Sequence, residues 1–121
     1  MGLDTTLYKQ KVKPELEQVY NKLVEEEEKY EEVLYWRKNH ELLNWFDSVL
    51  GGVENCEYHE VSEEVFVRWL QALEYKTLEY YEDDNEEDWA KEILDRDIKM
   101  ITKILKETDF KTTKFFFHNW W

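Results

Sequence analysis

Glycine and proline are nearly absent from this chain, with 3 Gly and 1 Pro among 121 residues. Because these residues interrupt regular structure more than any others, their scarcity predicts long helices joined by few turns. The length suits one domain spanning residues 1–121. Aromatic residues make up 17% of the chain, more than a core of this size can bury. Some are therefore expected at a surface, where aromatic rings commonly anchor binding.

Apolar residues recur at helical spacing in some segments and at alternating spacing in others, which predicts an α+β fold. We expect about four helices packed on a small, roughly three-stranded sheet formed by N-terminal, middle and C-terminal strands. The predicted strands are 3–9, 57–61 and 112–121. The first predicted helix begins at Pro14, and the second covers 33–50 and ends at Gly51-Gly52. The third begins after a cap at Ser62 and runs through Tyr80 and Tyr81, and the fourth begins after a cap at Asp84 or Asn85.

Two polar residues interrupt apolar helix faces and are therefore expected inside the molecule. Asn39 lies near the middle of the apolar arc of 33–50, and Asp97 lies at the centre of the apolar face of the last helix. A buried carboxylate is costly unless it is paired, so Asp97 should contact Asn39, His40, Arg37 or a tyrosine hydroxyl. Three roles stay open: a structural network, the floor of a ligand pocket, or catalysis by Asp97 with His40.

The chain is strongly acidic, with a net charge of −13 from 29 acidic and 16 basic residues. This charge opposes direct nucleic-acid and membrane binding and suits a partner with a basic surface. The acidic runs 25–32 and 82–88 are either solvated surfaces or a carboxylate pattern that mimics phosphates in a basic channel. A single cysteine, Cys56, and the lack of a signal-peptide or membrane-spanning run predict a cytoplasmic location.

The sequence carries no recognisable catalytic motif. Glycine-rich phosphate loops, HExxH, GxSxG and kinase-type motifs are all missing. Cys56 and His59 have a metal-like spacing, but His118 is the only obvious third ligand, which falls short of the set that zinc needs. We therefore expect a protein that is not an enzyme and holds neither a metal nor a cofactor.

The segment YWRKNHELLNWF (35–46) resembles a motif in a family of small uncharacterised proteins of bacteriophages and prophages. The resemblance extends to MGLDTTLYK (1–9), NCEYHEVS (55–62) and KETDF (106–110), so it covers most of the chain. It implies a phage origin and the bacterial host cytoplasm as the site of action, without an established activity. The family tends to carry Asn and His where His40 and Leu43 stand, and EDDNEED (82–88) replaces a Gly/Phe-rich insert.

The residues matched to this motif divide into expected core and expected surface. Trp45 and Phe46 are predicted to lie in the core, whereas Arg37 and Asn44 are predicted to be exposed. The candidate ligand- or partner-binding residues are Trp36, Arg37, His40, Asn44, Trp120 and Trp121. The terminal tryptophan pair either folds over the core or stacks on a planar ligand or a partner.

Three functional hypotheses follow. The first is a non-enzymatic phage accessory protein that binds a host protein with a basic surface, with antagonism of a host defence system as one such role. The second is a small-molecule binder that sequesters a nucleotide-type signal, in which Trp36, Arg37, His40 and Trp120 supply stacking and phosphate contacts. The third is a hydrolase or transferase of unspecified type.

Overall fold

The computed structural model describes residues 2–11, 30–84 and 86–121. Within these ranges the elements are β1 (Asp4–Lys11), β2 (Glu31–Arg37), α1 (His40–Leu50), β3 (Tyr58–Val61), α2 (Glu63–Glu74), α3 (Asp88–Glu107) and β4 (Thr113–Trp120). A 3₁₀ turn at Glu82–Asp84 precedes α3. The predicted α+β class and the three predicted strands are confirmed, and β2 adds a fourth strand.

The four strands form one antiparallel sheet in the order β2-β1-β4-β3. β1 and β4 pair along their whole length, from Asp4 opposite Trp120 to Lys11 opposite Thr113. These two strands therefore occupy the centre of the sheet, and β2 and β3 are its edges. The pairing of β1 with β2 is irregular between Leu7 and Tyr8, where one residue of β2 is left over.

One face of the sheet packs against all three described helices in a single hydrophobic core. The strand residues in that core are Leu7, Leu34, Trp36, Val61, Phe115 and Phe117. Phe46 of α1 stacks on Phe117 with ring centroids 3.9 Å apart, and Trp69 of α2 meets the edge of Phe46. Because side chains alternate along a strand, the intervening residues point to the opposite face, which we call the open face.

The predicted helix over 33–50 is wrong in its first part, because Glu31–Arg37 form β2 and the helix begins at His40. Leu34 and Trp36 are buried while Tyr35 is exposed, and this period of two fits a strand paired with β1. Glu31 and Glu32, the last two residues of the acidic run 25–32, therefore lie in β2. The first part of that run lies outside the described residues. Asn39 caps the shortened helix rather than lying within it.

The other predicted helices also differ in extent from the observed ones. The helix expected to begin at Pro14 lies outside the described residues. The Ser62 cap is confirmed, since its Oγ accepts a hydrogen bond from the Val65 amide at 3.3 Å. That helix, α2, ends at Glu74, so Tyr80 and Tyr81 reach the core from the following turn.

The cap of α3 is also displaced from its predicted place. The N-cap is Glu87, Asp84 belongs to the 3₁₀ turn, and the alternative cap Asn85 lies outside the described residues. Glu87 makes no side-chain capping bond. The acidic run therefore supplies a turn before the helix rather than a conventional cap.

Side chains cap the outer edge of β2. Arg96 of α3 donates from Nη2 to the carbonyl oxygen of Tyr35 at 3.2 Å. The Tyr81 hydroxyl donates to the carbonyl oxygen of Arg37 at 2.8 Å. Both carbonyls would otherwise be free acceptors on an edge strand, so these contacts fix α3 and the turn before it beside β2.

Candidate functional site

The carboxylate of Asp97 is fully buried and accepts hydrogen bonds from several directions. Its Oδ2 accepts from Trp36 Nε1 at 2.6 Å, and its Oδ1 accepts from Arg96 Nε at 3.0 Å. The Arg96 guanidinium also lies 5.6 Å from the centre of the Trp36 ring, a cation–π contact. The predicted burial of Asp97 is thus confirmed, and the carboxylate ties α3 to β2.

A tyrosine hydroxyl completes the surroundings of Asp97. Trp69 Nε1 donates to the Tyr80 hydroxyl at 3.0 Å, and Tyr80 is in turn hydrogen-bonded to Asp97. Burial raises the pKa of Asp97, while the positive charge of Arg96 and the hydrogen bonds from Tyr80 and Trp36 oppose the rise. Of the partners expected for Asp97, a tyrosine hydroxyl is the one observed.

This geometry favours the structural network over the other two roles for Asp97. Both carboxylate oxygens are occupied, Oδ2 by the buried Trp36 and Oδ1 by the partly exposed Arg96, whereas His40, the suggested catalytic partner, is exposed. Asn39 is fully buried as predicted, but its Oδ1 accepts from the Leu42 amide at 3.2 Å. Its Nδ2 and that of Asn119 are buried without a hydrogen-bond partner among the described atoms.

The six predicted binding residues do not form one cluster. Trp36 is only 1% exposed and belongs to the core. The remaining five are exposed: Arg37, His40, Asn44, Trp120 and Trp121. His40 and Asn44 lie one turn apart on α1. The structure therefore places Trp120 and Trp121 at the surface instead of folding them over the core.

Strand register brings Arg37 and Trp120 into one row of the open face. Asp4 of β1 is paired with Arg37 on one side and with Trp120 on the other. The next row on this face contains Tyr35, Thr6, His118 and Tyr58, and the row after it contains Glu32, Tyr8, Phe116 and Glu60. The face that points away from the helices is therefore rich in aromatic side chains.

The aromatic rings of the open face contact one another. Tyr58 lies 4.7 Å from His118 and 5.6 Å from Tyr8, measured between ring centroids. Tyr30, just before β2, stacks on Tyr58 at 4.2 Å and meets Phe116 edge-on at 5.4 Å. A strand face directed at water normally carries polar side chains, so this aromatic surface is a candidate binding site.

Sequence reasoning did not identify this surface. The run FFFH (115–118) puts aromatic rings on both faces of one strand, because alternate residues point in opposite directions. Tyr8 and Tyr58 occupy the same face in the neighbouring strands. The sequence indicates this surface through an aromatic residue at an outward-facing position in each of the three predicted strands.

Two groups on the open face have shifted pKa values. Burial lowers the pKa of His118, and a hydrogen bond with the backbone of Cys56 opposes this shift. Partial burial also raises the pKa of Tyr58, with smaller contributions from Tyr8 and Tyr30. His118 is therefore held towards its neutral form within the ring cluster.

A second surface feature is strongly acidic, and we call it the acidic corner. Its residues are Glu79, Glu82, Asp83, Asp84, Glu86, Glu87, Asp88 and Trp89, all of them exposed. The ion pair observed within it joins Glu86 to Lys91 at 3.9 Å. Trp89 packs edge-on against Tyr81 at 4.7 Å, which holds the indole beside the carboxylates.

A groove of about 520 Å³ lies between α3 and the end of the sheet. Its floor includes Val33, Met100, Ile104 and Phe115. Its rim carries both signs of charge, with the basic residues Lys9, Lys11 and Lys103 and the acidic residues Glu31, Glu32, Glu107 and Asp109. The size suits a small ligand, but the mixed rim indicates no preference for an anion or a cation.

The metal-like pattern of Cys56 and His59 does not develop into a site in the described ranges, where no three metal-binding side chains converge. His59 Nε2 accepts a hydrogen bond from the Glu54 amide at 3.1 Å, which occupies the lone pair that a metal would need. None of the helices described is long and apolar enough to cross a membrane.

Comparison with known proteins adds no further constraint. No protein-family model, curated protein or solved structure matches this chain. Its functional assignment must therefore rest on the chemistry of its own surfaces.

Proposed function

We propose that this chain is a non-enzymatic phage accessory protein that binds a host protein through a basic surface of that protein. The observation that carries the proposal is the acidic corner, where a run of exposed carboxylates precedes the exposed ring of Trp89. Carboxylates attract lysine and arginine side chains, and an indole ring offers a cation a favourable face. Antagonism of a host defence protein is one activity that such binding would provide.

The whole-chain charge supports a basic partner. A net charge of −13 raises the encounter rate with a positive surface and repels phosphates. Within the corner, Glu86 is the carboxylate engaged in an observed ion pair, and that pair is long and exposed. An exposed pair of this kind contributes little, so the carboxylates are available to an incoming cation.

The test compares two variants that lose the same charge. In the corner variant, four side chains become amides: Glu82→Gln, Asp83→Asn, Glu86→Gln and Glu87→Gln. In the control variant, four exposed helix side chains do so: Glu74→Gln, Glu92→Gln, Asp95→Asn and Glu107→Gln. A host protein captured from bacterial lysate at low salt is purified, and its affinity for each form is measured by calorimetry.

We expect the corner variant to weaken binding about tenfold or more and the control variant to weaken it much less. The affinity of the unmodified chain should also fall as salt rises, because screening reduces attraction between surface charges. Equal weakening by both variants would show that only total charge matters. Failure to enrich any basic host protein at low salt would refute the proposal.

A nucleotide-type ligand is the second candidate, and one observation favours it. Arg37 and Trp120 lie in the same row of the open face, so a cation and a stacking ring are available together. Two of the other residues suggested for this role do not join them there, because Trp36 is buried and His40 lies on α1. Thermal-shift measurements with a panel of nucleotides test this candidate. Stabilisation of the fold by any nucleotide would support it, and the lack of stabilisation by every nucleotide would count against it.

A further inference from the structure

We propose that the open face of the sheet binds an extended, arginine-bearing segment of the basic partner. This inference rests on the proposed function and adds a second contact surface to it. The acidic corner attracts any cation, whereas the open face would select arginine through its aromatic rings. Binding at the two surfaces can therefore be distinguished, because only the open face is expected to prefer arginine to lysine.

The accessible rings of the open face are the first part of the argument. Tyr58 is 44% exposed and Trp120 is 63% exposed, and they lie on the neighbouring strands β3 and β4. Tyr35 on the opposite edge is also exposed, and its hydroxyl donates to Asp4. Tyr30 stacks on one face of Tyr58, so the accessible surface consists of the rest of that ring together with Tyr35 and Trp120. Because these side chains lie on paired strands, stacking on them would cost little conformational freedom.

The charges of the same face, three carboxylates against two cations, favour a cationic occupant. Register places the carboxylates of Asp4, Glu32 and Glu60 among the rings, against the cations Arg37 and Lys114. Lys114 is already paired with Glu60, with Nζ and Oε1 3.4 Å apart. A guanidinium fits such a surface because it is planar, stacks on aromatic faces and hydrogen-bonds to carboxylates. Phosphate-bearing ligands are disfavoured by the acidity of the whole chain.

Arg37 links the open face to the turn that precedes the acidic corner. Arg37 ends the row that contains Asp4 and Trp120, and its carbonyl oxygen accepts the hydrogen bond from Tyr81. Tyr81 lies immediately before the acidic residues and packs against Trp89. A basic segment that crosses the sheet would therefore end at the β2 edge, where this turn is held by the Tyr81 hydroxyl. An extended segment can span the row from Trp120 to Arg37, which an isolated small cation cannot do.

The probe is a short peptide in which arginine alternates with serine, so that successive arginines point to one side of an extended chain. A second peptide carries lysine in place of arginine, with the same charge and spacing. Binding of each labelled peptide to the full chain is followed by fluorescence anisotropy. The binding variant combines Tyr58→Ala with Trp120→Ala, and the control is Tyr75→Ala, which removes an exposed ring that follows α2.

We expect the arginine peptide to bind about tenfold more tightly than the lysine peptide. The double variant should remove most of this difference, whereas Tyr75→Ala should preserve it. Circular dichroism and thermal melting verify that the variants fold, and single Tyr58→Ala and Trp120→Ala variants replace the double one if it does not. Equal affinity for both peptides, or an unchanged preference in the folded binding variants, would overturn the inference.

Other occupants give distinguishable outcomes. If AMP binds and displaces the arginine peptide, and Trp120→Ala weakens AMP more than the peptide, the face is a nucleotide site and the inference is wrong. If the chain forms a dimer that Tyr58→Ala dissociates, a second copy is the occupant and the inference is again wrong. If the corner variant weakens peptide binding and the open-face variants do not, the open-face inference fails and the proposed function stands. If neither a basic peptide nor a basic protein binds, both fail.

Discussion

Replacing Asp97 with alanine should destabilise the fold severely, because it leaves two buried donors without an acceptor. Trp36 Nε1 and the Tyr80 hydroxyl both point to this carboxylate, and their residues are 1% and 3% exposed. An orphaned buried donor costs about 1–3 kcal/mol, and the two together, with the cavity, cost roughly 3–5 kcal/mol. Arg96 adds little to this sum, because its side chain is 41% exposed and can turn to water.

Such a loss is a large fraction of the roughly 5–15 kcal/mol that stabilises a typical domain. Denaturant unfolding followed by tryptophan fluorescence measures it directly, and the melting temperature should fall by roughly 10–20 °C. Asp97→Asn keeps one acceptor oxygen and should cost about half as much. A loss below about 1 kcal/mol for Asp97→Ala would refute the network, since it would show that water satisfies Trp36 and Tyr80.

The pH dependence provides a second check on the same carboxylate. The folded-state pKa of Asp97 is raised above its ordinary value of 3.8, mainly by burial. The folded protein therefore holds this proton more tightly than the unfolded chain does. The stability contributed by protonated Asp97 is complete below pH 3.8 and is lost as pH rises through the folded-state pKa. The difference in unfolding free energy between the wild type and Asp97→Asn should narrow as pH rises through this window. A difference that widens would contradict the raised pKa of Asp97.

Three further outcomes test local features of the fold. Asn39→Ala removes the cap of α1 and should cost about 1 kcal/mol in denaturant unfolding, whereas Ser48→Ala on the exposed side of that helix should cost much less. Gly51→Ala should cost about 1 kcal/mol although open space surrounds the added methyl group, because φ is 76° there; an unchanged midpoint would refute the conformational explanation. Partial burial raises the pKa of Tyr81 to about 12, so wild-type stability should fall as pH rises from about 10 to about 12, and Tyr81→Phe should show a shallower fall.

The sequence predicted the parts of the fold that local patterns determine. Val61, Ser62 and Phe66 mark a strand end, a cap and a helix face, and the structure confirms all three. The buried position of Asp97 followed from its place among apolar residues at helical spacing. In these segments the local preference and the tertiary packing agree.

The sequence failed where a segment satisfies two periodicities. Leu34 and Trp36 belong to a wide helical arc and also to an alternating strand, and pairing with β1 selects the strand. Tyr80 and Tyr81 have the spacing of α2, yet the chain turns at Lys76, which has a φ of 59°, and brings both rings back to the core. Long-range contacts decide these cases, and no local pattern records them.

The candidate surfaces were harder to predict than the fold. Arg37 and Asn44 were correctly expected at the surface, but Trp36 was assigned to a binding role and lies in the core. Once residues 31–37 are assigned to a strand, Trp36 and Arg37 must point to opposite faces. The helical arc of the sequence prediction also contains Trp36, so both periodicities place this side chain among apolar neighbours.

The capped margin of β2 also determines how copies of this protein can associate. A strand from another molecule needs free carbonyl acceptors along the margin where it docks, and Arg96 and Tyr81 occupy those of Tyr35 and Arg37. Lateral extension of the sheet beyond that side is therefore obstructed. The opposite margin is β3, with only four residues from Tyr58 to Val61, too short to template a long intermolecular ladder. An acidic chain with both margins restricted in this way should resist fibre formation even at high concentration.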